Sequence, residues 1–349
     1  MQSKKEDNLK IVLVSPLPPP IGGIASWTQE YMKYIEEKKI KCHLINSAVI
    51  GDRVDTERVS YMAEIRRMIK LRRELKYWTR KENNTIVHYN ASCFTKGLIR
   101  DLFVLSGVKV PIVYQCHCNL DTNLDNKFAK ILFRLVCKKI SAVCVLNSSS
   151  ETTAKYYHKN VFYVPNFIRE VYCKQKNIND RIEKVCFVGR VEKKKGIREL
   201  LDAAKKLPEI EFNVIGPIKD EEFKNINMLN VNFWGAVENK DVFKILNDMD
   251  VYVLPSYSEG FPLGVLEAMS CGLPVVASDV GAIKDMIEKK GGVLIKPHSS
   301  HDIVNAIRRI ESKAVRKKMS EYNTKKVEKF YTIDAVIKKF KCIYSSCKE

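Results

Sequence analysis

The sequence predicts an α/β protein built from two doubly wound parallel-sheet domains. Short β-rich apolar runs alternate with longer segments of helical period along the chain, the signature of strand–helix–strand units. Several runs, such as VCFV, VYVL and PVVA, are apolar on both faces, as parallel strands covered by helices on both sides must be. The pattern also restarts partway, and 349 residues at ~150 per domain make room for two domains.

The first set of strands is predicted at 10–14, 41–45, 86–90, 112–116, 142–146 and 161–164. A polar, aperiodic stretch at 173–183 reads as a linker. The second set follows at 185–188, 211–215, 231–234, 250–254, 274–277 and 292–296. The domains are therefore expected at 1–172 and 173–330, with a terminal helix at 331–349. The last 40 or so residues are expected to be helical and basic: residues 308–349 hold 13 Lys/Arg against 5 Asp/Glu. The apolar positions of the terminal helix from Asp334 onward suit packing on either domain, and it is expected to return to the first. Open α/β sheets bind ligands at the carboxyl ends of their strands, so two facing domains would place a site in the cleft between them.

Composition narrows the function classes. Hydrophobic residues at 45% and charged residues at 29% exclude disorder and collagen-like repeats. A net charge of +19 suggests anionic company. No run of 18 apolar residues is present, and the apolar stretch IVLVS meets Pro16 too soon for a signal-peptide core. The expectation is a cytoplasmic protein. Eleven scattered cysteines fit a reducing compartment. Cys116-His117-Cys118 lacks the second pair a zinc site needs, so no metal site and no cofactor are expected.

Two stretches carry chemistry. In 250–281, a strand runs into a Pro/Ser/Gly loop, and a helix is expected to start at Pro262 and stop at Gly272. The loop Glu259-Gly260-Phe261-Pro262-Leu263-Gly264 then offers free backbone amides at a helix N-terminus, an anion site by construction. Gly260 and Gly264 allow close approach of a ligand. Glu259 and Glu267 flank the turn; either alone could be a capping choice, but as a pair they suit sugar hydroxyls, because a carboxylate accepts two donors at once. In 185–200, a strand ends at Val188, Gly189 turns the chain, Arg190 emerges at the strand's carboxyl end, and Lys195-Gly196 opens the next helix. A guanidinium fork beside an ammonium suits a diphosphate.

FVGRVEKKKG and PSYSEGFPLGVLEAMSCGLPVVAS resemble the retaining glycosyltransferases of family four, which adopt the GT-B fold of two Rossmann-like domains. Glu259 to Glu267 matches that group's E-x7-E pattern. SPLPPPIGGIASW at 15–27 resembles its N-terminal glycine loop, IVYQCH at 112–117 the strand that ends in its active-site histidine, and VPNF at 164–167 the segment before its interdomain linker. The resemblance implies that Arg190 and Lys195 bind the donor diphosphate and stabilise its growing charge, without a metal. It implies that Glu267 holds the nucleotide ribose, that Glu259 and the backbone of Gly260, Phe261, Pro262, Leu263 and Gly264 hold donor sugar and phosphates, and that Gly22 and Gly23 let the first domain close over the diphosphate. His117 would orient sugar or acceptor. Later in the chain the run Asp279-Val280-Gly281-Ala282 lacks the family's second Gly and Glu, so Asp285 receives no role. The implied donor is a nucleotide diphosphate sugar, UDP favoured over GDP. The implied acceptor is a glycan or lipid-linked glycan.

Segment 61–81 reads as a helix with 8 Lys/Arg and 2 Glu, and Tyr61, Met62, Ile65, Met68, Ile69, Leu71, Leu75 and Trp78 supply its apolar side. Segment 127–139 adds five basic residues and no acid. An ordinary packing helix with a solvated face gives this pattern, and so does a peripheral helix on an anionic inner leaflet, weakened by salt. The competing functions are a nucleotide-sugar epimerase or phosphorylase of the same fold, an inactive scaffold, and a basic nucleic-acid-binding protein. The last has no zinc-finger, KH or RRM signature behind it, so no nucleic acid is expected as a partner.

Overall fold

A computed structural model describes residues 9–19, 22–48, 61–81, 84–172 and 176–348. It divides into two compact units, Met1–Asn166 with Val336–Glu349, and Phe167–Ala335. No helix among the described residues is long and apolar enough to cross a membrane.

The first unit holds β1 (Lys10–Ser15), β2 (Cys42–Asn46), β3 (Thr85–Ala91), β4 (Ile112–Cys116), β5 (Ala142–Val145) and β6 (Val161–Tyr163). They form one parallel sheet in the order β2-β1-β3-β4-β5-β6. Its helices are α1 (Gly23–Glu37), α2 (Tyr61–Lys81), α3 (Thr95–Val104), α4 (Leu120–Asn123), α5 (Lys127–Cys137) and α6 (Ser148–Lys155). The second unit holds β7 (Lys184–Val188), β8 (Glu211–Ile215), β9 (Val231–Gly235), β10 (Val251–Leu254), β11 (Val275–Ser278) and β12 (Gly292–Ile295), also parallel, in the order β12-β11-β10-β7-β8-β9. Its helices are α7 (Ile197–Lys206), α8 (Asn239–Asn247), α9 (Leu263–Ser270), α10 (Ile283–Ile287), α11 (Ser300–Arg309) and α12 (Lys313–Phe330); α13 (Ile333–Ser346) starts here and joins the first unit from Val336.

Burial on both faces accounts for the strand composition. Every residue of β3 and β4 is buried. On one face Val87, Tyr89 and Tyr114 join the cluster with Leu71, Leu75, Leu98 and Phe133 from α2, α3 and α5. On the other, alternation turns His88, Asn90 and Gln115 toward α1 and α13. His88 Nδ1 meets Tyr344 Oη at 2.5 Å, and His88 Nε2 meets Gln115 Oε1 at 2.9 Å. Phe340 lies 4.7 Å from the same imidazole, centroid to centroid. This ring of contacts draws the terminal helix onto the first sheet, and burial drives the His88 pKa down to about 4.

Of the polar stretch expected as a linker, residues 173–175 lie outside the described residues, and residues 176–183 make contacts within the second unit. Asp250 is buried and accepts from the Glu183 and Lys184 amides, each at 2.9 Å, and from Asn179 Nδ2 at 2.9 Å. Arg316 of α12, itself buried, donates to the Asn179 and Asp180 carbonyls at 3.0 and 3.1 Å. A buried carboxylate and a buried guanidinium need polar partners, and the linker backbone supplies them. The division between the units falls earlier, after Asn166.

Two expectations about helix faces change. Pro262 does not occupy the first position of α9 but precedes it, in extended backbone (φ −71°, ψ 117°). Of the apolar side expected for α2, only Leu71 and Leu75 are buried, while Tyr61, Met62, Ile65 and Ile69 face solvent.

Phe340 is fully buried against His88 and Trp27. Phe340→Ala is expected to lower unfolding stability by about 3–5 kcal/mol in urea titrations. A loss below about 1 kcal/mol would mean that α13 is not part of the first core.

Candidate functional site

The second unit has its topological switch point between β7 and β10: the chain runs from β7 outward to β8 and β9, then returns to the opposite side of β7. Loops leaving β7 and β10 therefore part to opposite sides at the carboxyl edge, where open α/β sheets bind ligands. The two chemically informative stretches are those two loops.

After β7 come Gly189 and Arg190, then a short 3₁₀ turn at Lys193–Lys195. Gly196 caps α7 in the left-handed region at φ +73°, and an added Cβ would lie 2.1 Å from the Pro255 carbonyl oxygen. Only glycine lets the two loops come this close. The Tyr257 amide donates to Lys194 O at 2.9 Å and ties the second loop to the first. As a result Lys195 Nζ donates to Glu259 Oε1 at 2.7 Å, with both side chains largely buried (18% and 9% exposed). Arg190 is half-exposed, its guanidinium 3.2 Å from Glu192 Oε1; Lys194 reaches the same oxygen at 3.5 Å. The sequence reading missed Glu192. Its signal, a lone acid inside a basic run, was visible, but its burial was not.

The second loop leads through Gly260, buried Phe261 and Pro262 into α9. Its first intrahelical bond runs from the Leu266 amide to Pro262 O. The amides of Leu263, Gly264 and Val265 thus lack intrahelical acceptors, and the positive end of the helix dipole lies with them. Gly264 has a packing reason as well: an added Cβ would lie 2.5 Å from Tyr252 Oη, which itself donates to Val188 O at 3.2 Å. The turn at 280–282 supports the loop from behind, the Ala282 amide donating to Gly260 O at 2.9 Å.

Glu267 is half-buried, one turn into α9, and among the described residues no hydrogen-bond donor or cation is paired with its carboxylate. Burial alone pushes its pKa up to about 7. A carboxyl poised there can donate or accept near neutrality.

In the first unit, the switch point lies between β1 and β3. Gly22 precedes α1 in extended backbone, and Gly23 opens that helix with nothing within 4 Å of where a Cβ would sit. His117 follows β4. It lies edge-on to Trp27 at 5.5 Å, its Nε2 has no hydrogen-bond partner, and burial, with His88 nearby, drives its pKa down to about 3. It is therefore a neutral imidazole. Cys116 and Cys118 beside it are buried, free thiols. Among the described residues no group of three or more His, Cys, Asp or Glu could hold a metal ion.

So the second unit brings Gly189, Arg190, Lys195, Glu259, Gly260, Phe261, Pro262, Leu263, Gly264 and Glu267 to one edge of one sheet, and the first unit carries Gly22, Gly23 and His117 on the corresponding edge of its own. Cations, a carboxylate pair and free amides at one helix start can hold a diphosphate and the hydroxyls beside it.

Comparison with known proteins agrees with this geometry. The chain is 26% identical over 322 residues to the UDP-Gal:alpha-D-GlcNAc-diphosphoundecaprenol alpha-1,3-galactosyltransferase of Escherichia coli, covering 82% of this chain and 80% of that one. It is 30% identical over 175 residues to the N,N'-diacetylbacillosaminyl-diphospho-undecaprenol alpha-1,3-N-acetylgalactosaminyltransferase of Campylobacter jejuni, covering 48% of this chain and 45% of that one. Across four curated relatives, the Campylobacter protein included, the matched stretch is 30% to 67% of their length. In structure the chain is similar to sucrose-phosphate synthase of Thermosynechococcus elongatus, with a TM-score of 0.76 at 16% identity over 97% of this chain and 98% of that one. That likeness shows the fold, GT-B.

Because the Glu267 pKa is raised in the fold, its protonated form favours folding. That contribution is complete below about pH 4.5, the ordinary carboxyl value, and is lost as pH rises toward about 7. Glu267→Gln should flatten the pH dependence of stability between those values in thermal melts. An unchanged slope would mean that the carboxyl is not desolvated.

Residues 168–326, which contain the whole edge from Gly189 to Glu267, match the family described as Glycosyl transferases group 1.

Proposed function

We propose that this chain is a retaining glycosyltransferase of family four that moves a sugar from a nucleotide diphosphate sugar to the hydroxyl of a glycan or lipid-linked glycan. The observation that carries this reading is the Lys195–Glu259 pair, 2.7 Å apart beside the open amides of α9, at the switch point of a stretch that matches the group 1 family. In this reading the second unit binds the donor and the first the acceptor.

Arg190 and Lys195 take up the charge that grows on the diphosphate as the glycosidic bond breaks, a role that a divalent ion fills elsewhere. The amides of Leu263 to Val265 add fixed dipoles that need no reorganisation. Glu259 faces the donor sugar. Lys195 then bridges sugar-binding carboxylate and leaving group, and its charge stays balanced before the donor arrives. Glu267 accepts the ribose hydroxyls. Gly22 and Gly23 present backbone without side chains, and neutral His117 offers Nε2 as a hydrogen-bonding group without adding charge. Retention follows a front-face route, in which the leaving phosphate helps to deprotonate the acceptor.

The name of the Escherichia coli relative gives UDP-galactose as donor and a diphosphoundecaprenol-linked sugar as acceptor. That favours UDP over GDP here, and a lipid-linked acceptor reached from the cytoplasmic surface of a membrane. A nucleotide-sugar epimerase of the same fold is the alternative, and it would turn over without an acceptor.

A nucleotide-release screen over a panel of sugar donors, with and without lipid-linked acceptors, tests the proposal. Arg190→Ala and Lys195→Ala should each lose at least about two orders of magnitude in turnover, ~3 kcal/mol of lost charge stabilisation. Near-normal rates in both variants would overturn the diphosphate assignment, and acceptor-independent turnover would favour the epimerase.

A further inference from the structure

We infer that Tyr257 and Glu199 form a positioning clamp that holds Lys195 at Glu259, so that both act on the reaction without touching a substrate. The inference rests on the reaction proposed above. Tyr257 stands two positions before Glu259 in the loop after β10, and Glu199 stands four positions after Lys195, in the first turn of α7. The Tyr257 hydroxyl donates to both carboxylate oxygens of Glu199, at 2.8 and 2.9 Å. A second link thus joins the loops that carry Lys195 and Glu259, and it uses neither of those side chains.

The surroundings favour that bond. The Glu199 side chain is 15% exposed, and a carboxylate so placed needs donors. Arg198, its neighbour in sequence, turns instead to Glu222, with Nε donating at 2.8 Å. Among the described residues the one basic group paired with Glu199 is His298 Nδ1, at 3.8 Å. Tyr257 therefore supplies the hydrogen bonds that the carboxylate needs. Burial, together with that carboxylate, pushes the Tyr257 pKa up to about 12, so its hydroxyl stays a donor at neutral pH. The His298 imidazole, from the loop after β12, lies over the Tyr257 ring, with centroids 3.7 Å apart and planes inclined by 32°. His298 does so from the left-handed region, at φ +62°, a conformation uncommon outside glycine. The loops after β7, β10 and β12 therefore meet at Tyr257.

Such a clamp matters because the Lys195–Glu259 contact cannot hold itself through the reaction. Once a diphosphate shares the Lys195 ammonium, the pull on Glu259 weakens. The Tyr257–Glu199 bond involves no group that binds substrate and persists. Backbone contacts complete it: the Tyr257 amide donates to Lys194 O at 2.9 Å, and Gly196 lies against Pro255. An ammonium fixed in advance stabilises developing charge without reorganisation, and a displacement of about 1 Å costs ~10²-fold in rate.

Tyr257→Phe keeps the ring and removes only the hydroxyl. It should lower kcat by about tenfold or more, with the donor KM moved by less than about threefold. Glu199→Ala should do the same, and Glu199→Gln, which keeps an acceptor oxygen, should restore most of the rate. In the Lys195→Ala background Tyr257→Phe should change turnover by less than about twofold, because the clamp has nothing left to place. A merely structural contact would give independent losses that multiply. Without any substrate, hydrogen exchange of the 255–261 backbone should speed up by about tenfold or more in Tyr257→Phe, in a chain whose thermal melt keeps one cooperative transition. Unchanged kcat, multiplying losses in the double variant, no rescue by Glu199→Gln, or unchanged exchange would each overturn the inference. A parent chain that turns over no donor would count against the proposed reaction instead, and the exchange measurement would then decide whether the clamp exists.

Discussion

A single constraint organises the second unit: β7 is hydrogen-bonded to β8 on one side and to β10 on the other, all three running parallel. Parallel strands release their loops at the same edge, and reversal of the winding direction at β7 sends the next connections to opposite sides. Open α/β sheets bind their ligands in the gap so opened. Its floor is shaped by backbone contacts that tolerate no side chain, Gly196 against Pro255 and Gly264 against Tyr252. Were either loop to shift, Lys195 and Glu259 would part, because nothing else fixes their separation as directly as the backbone they stand on.

The electrostatics of that edge follow from unequal burial. Lys195 and Glu259 neutralise each other where little water reaches, so each would be costly to leave alone. Arg190 stays half-exposed, paired with Glu192. Among the described residues no cation offsets the desolvation of Glu267, and burial pushes its pKa up to about 7. One sheet edge thus gathers a buried ion pair, a half-exposed cation and a carboxyl whose pKa burial raises.

The first unit is organised by a different demand. His88, Asn90 and Gln115 are polar residues on a buried sheet face, and buried polar groups need partners. Tyr344 from α13 supplies one to His88, which explains why the far end of the chain belongs to the unit at its beginning. The opposite sheet face, under α2, α3 and α5, meets the same demand within the unit: buried Asp101 of α3 accepts from the Tyr89 and Tyr114 hydroxyls, each at 2.6 Å.

Much of this was legible in the residues. Runs apolar on both faces could only be covered parallel strands, and all twelve lie within one residue of where the sequence reading put them. The glycines and charges of 185–200 and 259–267 point to loops that open helices at the carboxyl ends of strands, because chain direction, glycine and cation chemistry are local properties. Tertiary structure decided what depends on neighbours distant in sequence. From the sequence, 173–183 is only a polar, aperiodic linker; that Asp250 and Arg316 bind the backbone at Glu183 and Asn179 depends on the tertiary structure. Periodicity gave α2 an apolar side but could not say which part of it would face water, since that depends on where α3 and the sheet lie. Whether Lys195 would meet Glu259, 64 positions away, was settled only by the parallel pairing of β7 with β10.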